Sequence, residues 1–279
     1  MDHPFDGVTL IHRDLAEPRP VRLFVVDVDL ANRGVSFLLT PPASTPNGRE
    51  TMRQTTLDFL RETKAQVAVN AHFFVPFPAA DPDSDLIGLA ASAGRVYSKF
   101  EEPQQSYAIV ARASAFNLDA ANRARVVREG DTVALWNALS GSAQVVTGGR
   151  VTVPRYELGQ LTPGGPARYS GNRSWYELPN ARTLIGLDRA ARRLVLLVID
   201  TGTPQSRGLT VTEAAELLVR DYGVHDALNL DGGGSTTLAI ADPDTAEAKL
   251  VNRPSGNGEP RAVGSSLAVF AKPRCRRQP

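Results

Sequence analysis

The chain has 279 residues, of which 42% are hydrophobic and 22% charged, so it can bury a sizeable core and does not have the composition of a disordered chain. Its 31 basic and 30 acidic side chains leave a formal charge of +1, which excludes a global field for drawing in nucleic acid or an anionic membrane. Any anionic ligand must be held by a local cluster.

No apolar run approaches the roughly 18 residues that a spanning helix needs, and Met1 to Gly7 lacks the charged start and apolar stretch of a signal peptide. The chain as written is therefore expected to be soluble and cytoplasmic, or secreted had an upstream leader been removed. The single cysteine, Cys275, precludes an intrachain disulfide and lies in a basic tail with Lys272, Arg274, Arg276 and Arg277. The oligomeric state is left open.

In chain order, valine-rich alternation predicts a strand from Val21 to Leu30, a turn at Asn32 to Gly34 and a second strand over Val35 to Leu39. A Pro, Ser and Thr rich loop follows, then a short helix within Thr51 to Thr63, where Leu57 and Leu60 have helical spacing. Gln66 to Asn70 reads as a buried strand. Further strands are expected at Tyr107 to Ala111, Val145 to Val153, Arg182 to Leu187 and Arg193 to Ile199, the last two joined by a turn at Asp188 to Arg192. Between them, Arg155 to Ala181 is Gly, Pro and Tyr rich and reads as a long surface loop. A helix is expected from Val211 to Tyr222, opened by a Thr210 and Glu213 capping box and closed by Gly223. Strands at Ala227 to Leu230, Thr236 to Ile240 and Ser265 to Phe270 complete the chain. With no internal repeat and no composition break, residues 1–270 are expected to form one α+β domain with a mixed, β-rich core and few helices, followed by a basic tail, 271–279.

The sharpest local motif is Asn229-Leu230-Asp231-Gly232-Gly233-Gly234-Ser235. Three successive glycines allow close approach of a ligand to the backbone, and their amides can form an anion nest; a plain hairpin turn has the same composition. No lysine follows the glycines, so this is not a P-loop, and a strand rather than a helix is expected after them, which excludes a dinucleotide fingerprint. The four histidines, His3, His12, His72 and His225, have no metal-ligand spacing, and neither a metal site nor another cofactor is expected.

The glycine run with the preceding Ala227-Leu228-Asn229-Leu230 resembles the signature of the phosphodiester glycosidase family. Other stretches fall in the family's order: Asn70-Ala71-His72-Phe73-Phe74 resembles its Asn-Gly-Gly-Phe-Phe element, and Arg182-Thr183-Leu184-Ile185-Gly186 its Arg-Thr-x-x-Gly strand. Val251-Asn252-Arg253-Pro254 and Glu259-Pro260-Arg261-Ala262-Val263 resemble its closing elements. Ala71 and His72 stand where the family has two glycines, which is expected to place side chains in space a substrate would use. Asp200-Thr201-Gly202 likewise interrupts the family's Asp-Gly pair, and Pro260 sits within Glu-Arg.

The resemblance implies hydrolysis of the sugar C1–O bond of a small or polymeric glycosyl 1-phosphodiester, at a site where Asn70, Arg182, Asp200, Asp231 and Arg261 converge. Arg182 and Arg261 have the paired donors of a phosphate clamp, or else are surface ion pairs. Asp231 is the first choice for a catalytic carboxylate and Asp200 the second, though either has the chemistry to orient an arginine instead. Asn70 and Asn252 are candidates for sugar or phosphate contacts, or for turn formation. Gly232, Gly233, Gly234 and Ser235 are expected at the substrate, and His72 is either a proton donor or a packed ring. Trp175, Tyr169 and Tyr176 either stack on the substrate or pin the loop before Arg182 to the body. Two rival readings are a non-catalytic binder of phosphorylated polysaccharide and a phosphodiesterase attacking phosphorus.

Overall fold

Two stacked sheets carry the molecule, and valine-rich strands that are apolar on both faces are what make the stack. The computed structural model describes residues 1–78, 80–100, 108–157, 160–162 and 175–274. In the strand Val21–Asp29, Leu23 and Val25 enter one core layer while Phe24, Val26 and Val28 enter another. Arg193–Ile199 divides the same way, with Leu194, Leu196 and Val198 on one side and Val195, Leu197 and Ile199 on the other. Both belong to an eight-stranded sheet ordered Asp2–Phe5, Val8–Leu15, Val21–Asp29, Arg193–Ile199, Arg182–Asp188, Val224–Asn229, Ala143–Thr147 and Arg150–Val151.

Helix α2, Val211–Tyr222, covers one face of this sheet through Val211, Ala214, Ala215, Leu217 and Leu218. Its start is the expected capping box: Thr210 Oγ1 accepts from the Glu213 amide at 3.1 Å, and Glu213 accepts from the Thr210 amide at 2.8 Å. Gly223 ends it in the left-handed conformation at φ 64.

The other face of the large sheet packs on a five-stranded sheet ordered Ala248–Leu250, Leu238–Ala241, Val67–Asn70, Ser266–Phe270 and Ser36–Leu39. Helix α1, Thr56–Thr63, lies against that sheet through Phe59 and Leu60. A second five-stranded sheet comprises Arg95–Ser98, Ala90–Ser92, Asn137–Ser140, Ala115–Leu118 and Ala124–Val127. Asn137 ties it to the first: its Nδ2 donates to Phe37 O at 2.9 Å and its Oδ1 accepts from the Leu39 amide at 3.3 Å. Among the described residues no helix is long and apolar enough to cross a membrane.

Several expectations need correction. The β-rich core is antiparallel rather than mixed, since all strand pairs among the described residues are antiparallel. Residues 108–111 are not strand; Ala108, Ile109 and Val110 are buried because they pack on the α2 side of the large sheet, and Tyr107 lies outside the described residues. Val145 to Val153 is two strands, folded back at Gly148 and Gly149, whose φ of 62 and 76 suit a tight hairpin turn. The first hairpin, Asp2–Phe5 with Val8–Leu15, carried the same kind of signal in Asp6-Gly7, where Gly7 has φ 72.

Candidate active site

The chain crosses from the large sheet to the first five-stranded sheet through the glycine run. Val224–Asn229 ends in one sheet, Gly233–Ser235 makes a single 3-10 turn, and Leu238–Ala241 begins in the other. Each glycine has its own reason to be there. A Cβ on Gly232 would lie 2.8 Å from Ala181 O and 3.0 Å from Trp175 Cζ2; Gly233 has φ +58; a Cβ on Gly234 would lie 2.2 Å from Arg261 Nη2. Side chains are excluded by a ring, by backbone conformation and by a guanidinium in turn.

The run does not form the expected nest of successive amides. The Gly232 amide donates to Asp231 Oδ1 at 2.8 Å, that of Gly233 to Ala181 O at 2.8 Å, and that of Ser235 to Gly232 O at 3.1 Å. Only the Gly234 N–H of these has no partner among the described residues.

Asp231, the three glycines, Asn180 and Arg261 form the polar floor of a cavity of about 250 Å³. Phe73, Phe74, Phe77 and Trp175, with Ala108, form its walls. Phe73 meets Trp175 edge-on with centroids 5.6 Å apart, and Phe74 meets Phe77 edge-on at 5.9 Å. Arg261 lies with Cζ 4.8 Å from the Phe77 centroid, and its Nη1 donates to Ser235 Oγ at 3.3 Å, a long bond that leaves most of the fork's donors without a partner among the described residues. Asp231 is 9% exposed. Burial lifts its carboxyl to about 6, against the opposing pull of the Ser235 hydroxyl, the Gly232 amide and the Arg261 charge. A carboxyl poised near neutrality next to an arginine, in an aromatic pocket, suits acid-base or nucleophilic work on an anionic substrate.

The other candidates do not line this cavity. Arg182 is fully buried. Its Nε donates to Leu209 O at 3.1 Å, its Nη2 donates to Trp175 O at 2.6 Å and Leu178 O at 2.5 Å, and its Cζ stacks 3.9 Å from the Trp175 ring. Burial lowers its pKa to about 9. Arg182 therefore supports the Trp175 wall from behind, and of the two arginines expected to form a clamp only Arg261 lines the cavity.

Asp200 is held in a separate buried knot: its carboxylate accepts from Asn252 Nδ2 at 3.0 Å and the Arg253 amide at 3.2 Å. Asn252 in turn accepts from the Leu238 amide at 2.6 Å and donates to Thr236 O at 3.1 Å. Both fix the exit of the glycine run rather than face the cavity. His72 is also enclosed, with Nδ1 2.9 Å from Ser265 Oγ and Nε2 3.0 Å from Leu89 O; burial lowers its pKa to about 4, so it is a neutral packed ring. Neither Ala71 nor His72 projects into the cavity, which corrects the expectation that they crowd the substrate.

Asn70 has a sharper role than either sequence reading gave it. Its Nδ2 donates to Asp231 O at 2.6 Å, while its Oδ1 accepts from Thr183 Oγ1 at 2.7 Å and the Thr237 amide at 3.1 Å. One buried amide thus joins the end of its own strand, the strand of Arg182–Asp188 and both sides of the glycine run. Asn70→Ala leaves a carbonyl, a hydroxyl and an amide without this partner, and is expected to cost on the order of 3 kcal/mol in urea denaturation. A loss below about 0.5 kcal/mol would show that the bridge holds nothing.

The profile of the phosphodiester glycosidase family matches residues 63–270, the whole stretch from the end of α1 through the last strand. The chain belongs to this family. It is 37% identical over 102 residues to the bovine N-acetylglucosamine-1-phosphodiester alpha-N-acetylglucosaminidase, a match covering 34% of this chain and 18% of that enzyme. The mouse and human enzymes match to the same extent. Among solved structures, the zebrafish enzyme's catalytic domain, auto-inhibited by its pro-peptide, shares the fold with a TM-score of 0.65 at 21% identity, covering 95% of this chain and 83% of that one. A hypothetical protein from Synechocystis has a TM-score of 0.67 at 15% identity, covering 96% and 62%.

Sequence reading of this family member missed Phe77, Asn180 and Ala108 as lining residues, and gave Phe73 and Phe74 no place in the site. Of the three loop aromatics, Trp175 lines the cavity and Tyr176 is core, its hydroxyl bonded to Ser142 Oγ; Tyr169 lies outside the described residues, as do Cys275, Arg276 and Arg277 of the tail. The available signal was density: Phe73, Phe74 and Phe77 fall within five positions of a proline-flanked segment where a soluble chain rarely concentrates aromatics.

Proposed function

We propose that this phosphodiester glycosidase hydrolyses a glycosyl 1-phosphodiester at the sugar C1–O bond, with Asp231 as catalytic carboxylate and Arg261 as phosphate ligand. The observation that carries the reading is the pairing of one neutral-range carboxyl with one underused guanidinium across Gly234 in an aromatic cavity. In the direct route water attacks C1, its proton passes to the Asp231 carboxylate, and the C1–O bond breaks with its electron pair passing to the phosphate oxygen. In the two-step route the Asp231 carboxylate attacks C1 and displaces the phosphomonoester in the same way. Water then attacks C1 of the glycosyl-enzyme, the C1–O bond to Asp231 returns its electron pair to the carboxylate, and the freed carboxylate takes the water's proton. The departing phosphomonoester stabilises its own charge, helped by Arg261 and the free Gly234 N–H, so a second carboxylic acid is not required as proton donor. The cavity walls supply flat apolar surface for a sugar ring, and Arg182 and Asn70 act through Trp175 and the Asp231 backbone as positioning residues.

Hydrolysis in water enriched in oxygen-18 tests the bond that breaks. The label is expected in the released sugar, with none in the phosphomonoester. Label in the phosphate would assign attack to phosphorus, and saturable binding without products would leave a sugar-phosphate binder.

A further inference from the structure

The cavity has a direction. Along the glycine run, Gly232 lies under Trp175, whose Cζ2 would be 3.0 Å from a Cβ there, whereas Gly234 lies under the Arg261 guanidinium. Phe77 stands beside Arg261, whose Cζ is 4.8 Å from its centroid. Trp175 thus flanks Gly232, next to Asp231 in the chain, while Arg261 covers Gly234 with Phe77 beside it. If the scissile carbon is at Asp231 and the phosphate at Arg261, the group on the far side of the phosphate meets Phe77.

Phe77 is also prepared for contact. Its ring is held edge-on by Phe74, and the Pro76 carbonyl before it accepts from Arg53 Nη2 at 2.6 Å, while Arg53 Cζ stacks 4.9 Å from the Phe74 ring. Yet Phe77 remains 43% exposed, one of the few large apolar side chains to be so among the described residues, and it is the one that lines this cavity. A fixed, half-open aromatic ring beside an anion ligand matches a phosphoester whose alcohol carries a flat apolar face.

Resting on the reading of Arg261 as phosphate ligand, we infer that the aglycone is a ring-bearing alcohol, its flat C–H or aromatic face seated on Phe77, so that Phe77 sets leaving-group specificity. The aglycone half can be probed without knowing the sugar. Benzyl phosphate and methyl phosphate are titrated into the full chain by calorimetry or NMR, with Phe77→Ala and Arg261→Ala as variants whose fold is checked by circular dichroism. The wild type is expected to bind benzyl phosphate about tenfold or more tightly than methyl phosphate, and this ratio is expected to fall to within about twofold in Phe77→Ala. Arg261→Ala should weaken both ligands.

Equal affinity for the two phosphates in the wild type would overturn the inference while leaving the phosphate site standing, as would a ratio that survives Phe77→Ala. A variant that weakens both ligands equally, with the ratio intact, would make Phe77 a support for Arg261 only. Failure of either ligand to bind, or binding indifferent to Arg261→Ala, would overturn the phosphate site itself and the inference with it.

Discussion

Asp231→Asn is expected to lose on the order of 10³-fold in kcat, the scale of a general base or nucleophile, while folding more stably than the wild type at pH 7. The amide keeps the shape and still accepts from the Gly232 amide, but it has no charge to lose. A carboxyl raised from its ordinary 3.8 to about 6 binds its proton more tightly folded than unfolded. Above pH 6 the folded state must therefore hold a charge it disfavours, at a cost on the order of 3 kcal/mol. That cost shrinks as the pH falls from 6 and vanishes below about 4, where both states are protonated. The stability gain of Asp231→Asn in urea denaturation should follow the same course: largest at pH 7, absent at pH 3.5. The wild-type kcat/KM should fall about tenfold per pH unit below pH 6 as the working carboxylate is protonated. A variant that turns over normally would remove Asp231 from the chemistry, and one less stable than the wild type at pH 7 would show that burial does not raise its carboxyl.

Gly234→Ala should lower kcat/KM about 10- to 100-fold, as much as Arg261→Lys and for the same reason. Gly234 does not adopt a left-handed conformation, so alanine costs little there in backbone terms. The three atoms nearest its methyl group would all belong to the guanidinium, with Nη2 at 2.2 Å and Cζ at 2.6 Å, and an arginine tip swings away easily. The fold is thus kept and the anion ligand lost. Lysine at 261 fails differently, because a point charge cannot reproduce the paired donors of the fork. The double variant should be no worse than the poorer single, since both remove one interaction. Losses that multiply, or a Gly234→Ala variant with wild-type kcat/KM, would show that Arg261 does not meet substrate from this position.

What was legible in the sequence follows from how local each signal is. Helix α2 was readable to the residue because its cap, its apolar face and its terminating glycine are all encoded within one segment. The valine-rich central strands were equally plain. The second five-stranded sheet was not: Ala90–Ser92, Ala115–Leu118 and Asn137–Ser140 are rich in Ala, Asn and Ser, which have weak strand preference and are held by the sheet around them. At the candidate site, Asp231, Arg261 and the three glycines, which stand out in the sequence because a carboxylate, a fork and bare backbone carry their chemistry in their type, line one cavity. Arg182, Asp200, Asn252 and His72 have the same types and yet face inward. Asp231 is nearly as buried as they are, so what separates them is which side chains line the cavity, and that is a property of the folded chain.

Asn70 has a consequence for how such a protein can change over generations. The proposed catalytic carboxylate hangs from the seam between two sheets, where one amide ties three backbone segments together and is expected to tolerate no substitution without loss. Phe77 and Trp175, by contrast, stand on connecting segments that can be rewritten while the seam stays intact. Divergence should therefore accumulate in the walls, letting descendants exchange one ligand for another, while the proposed chemistry at the seam is inherited unchanged.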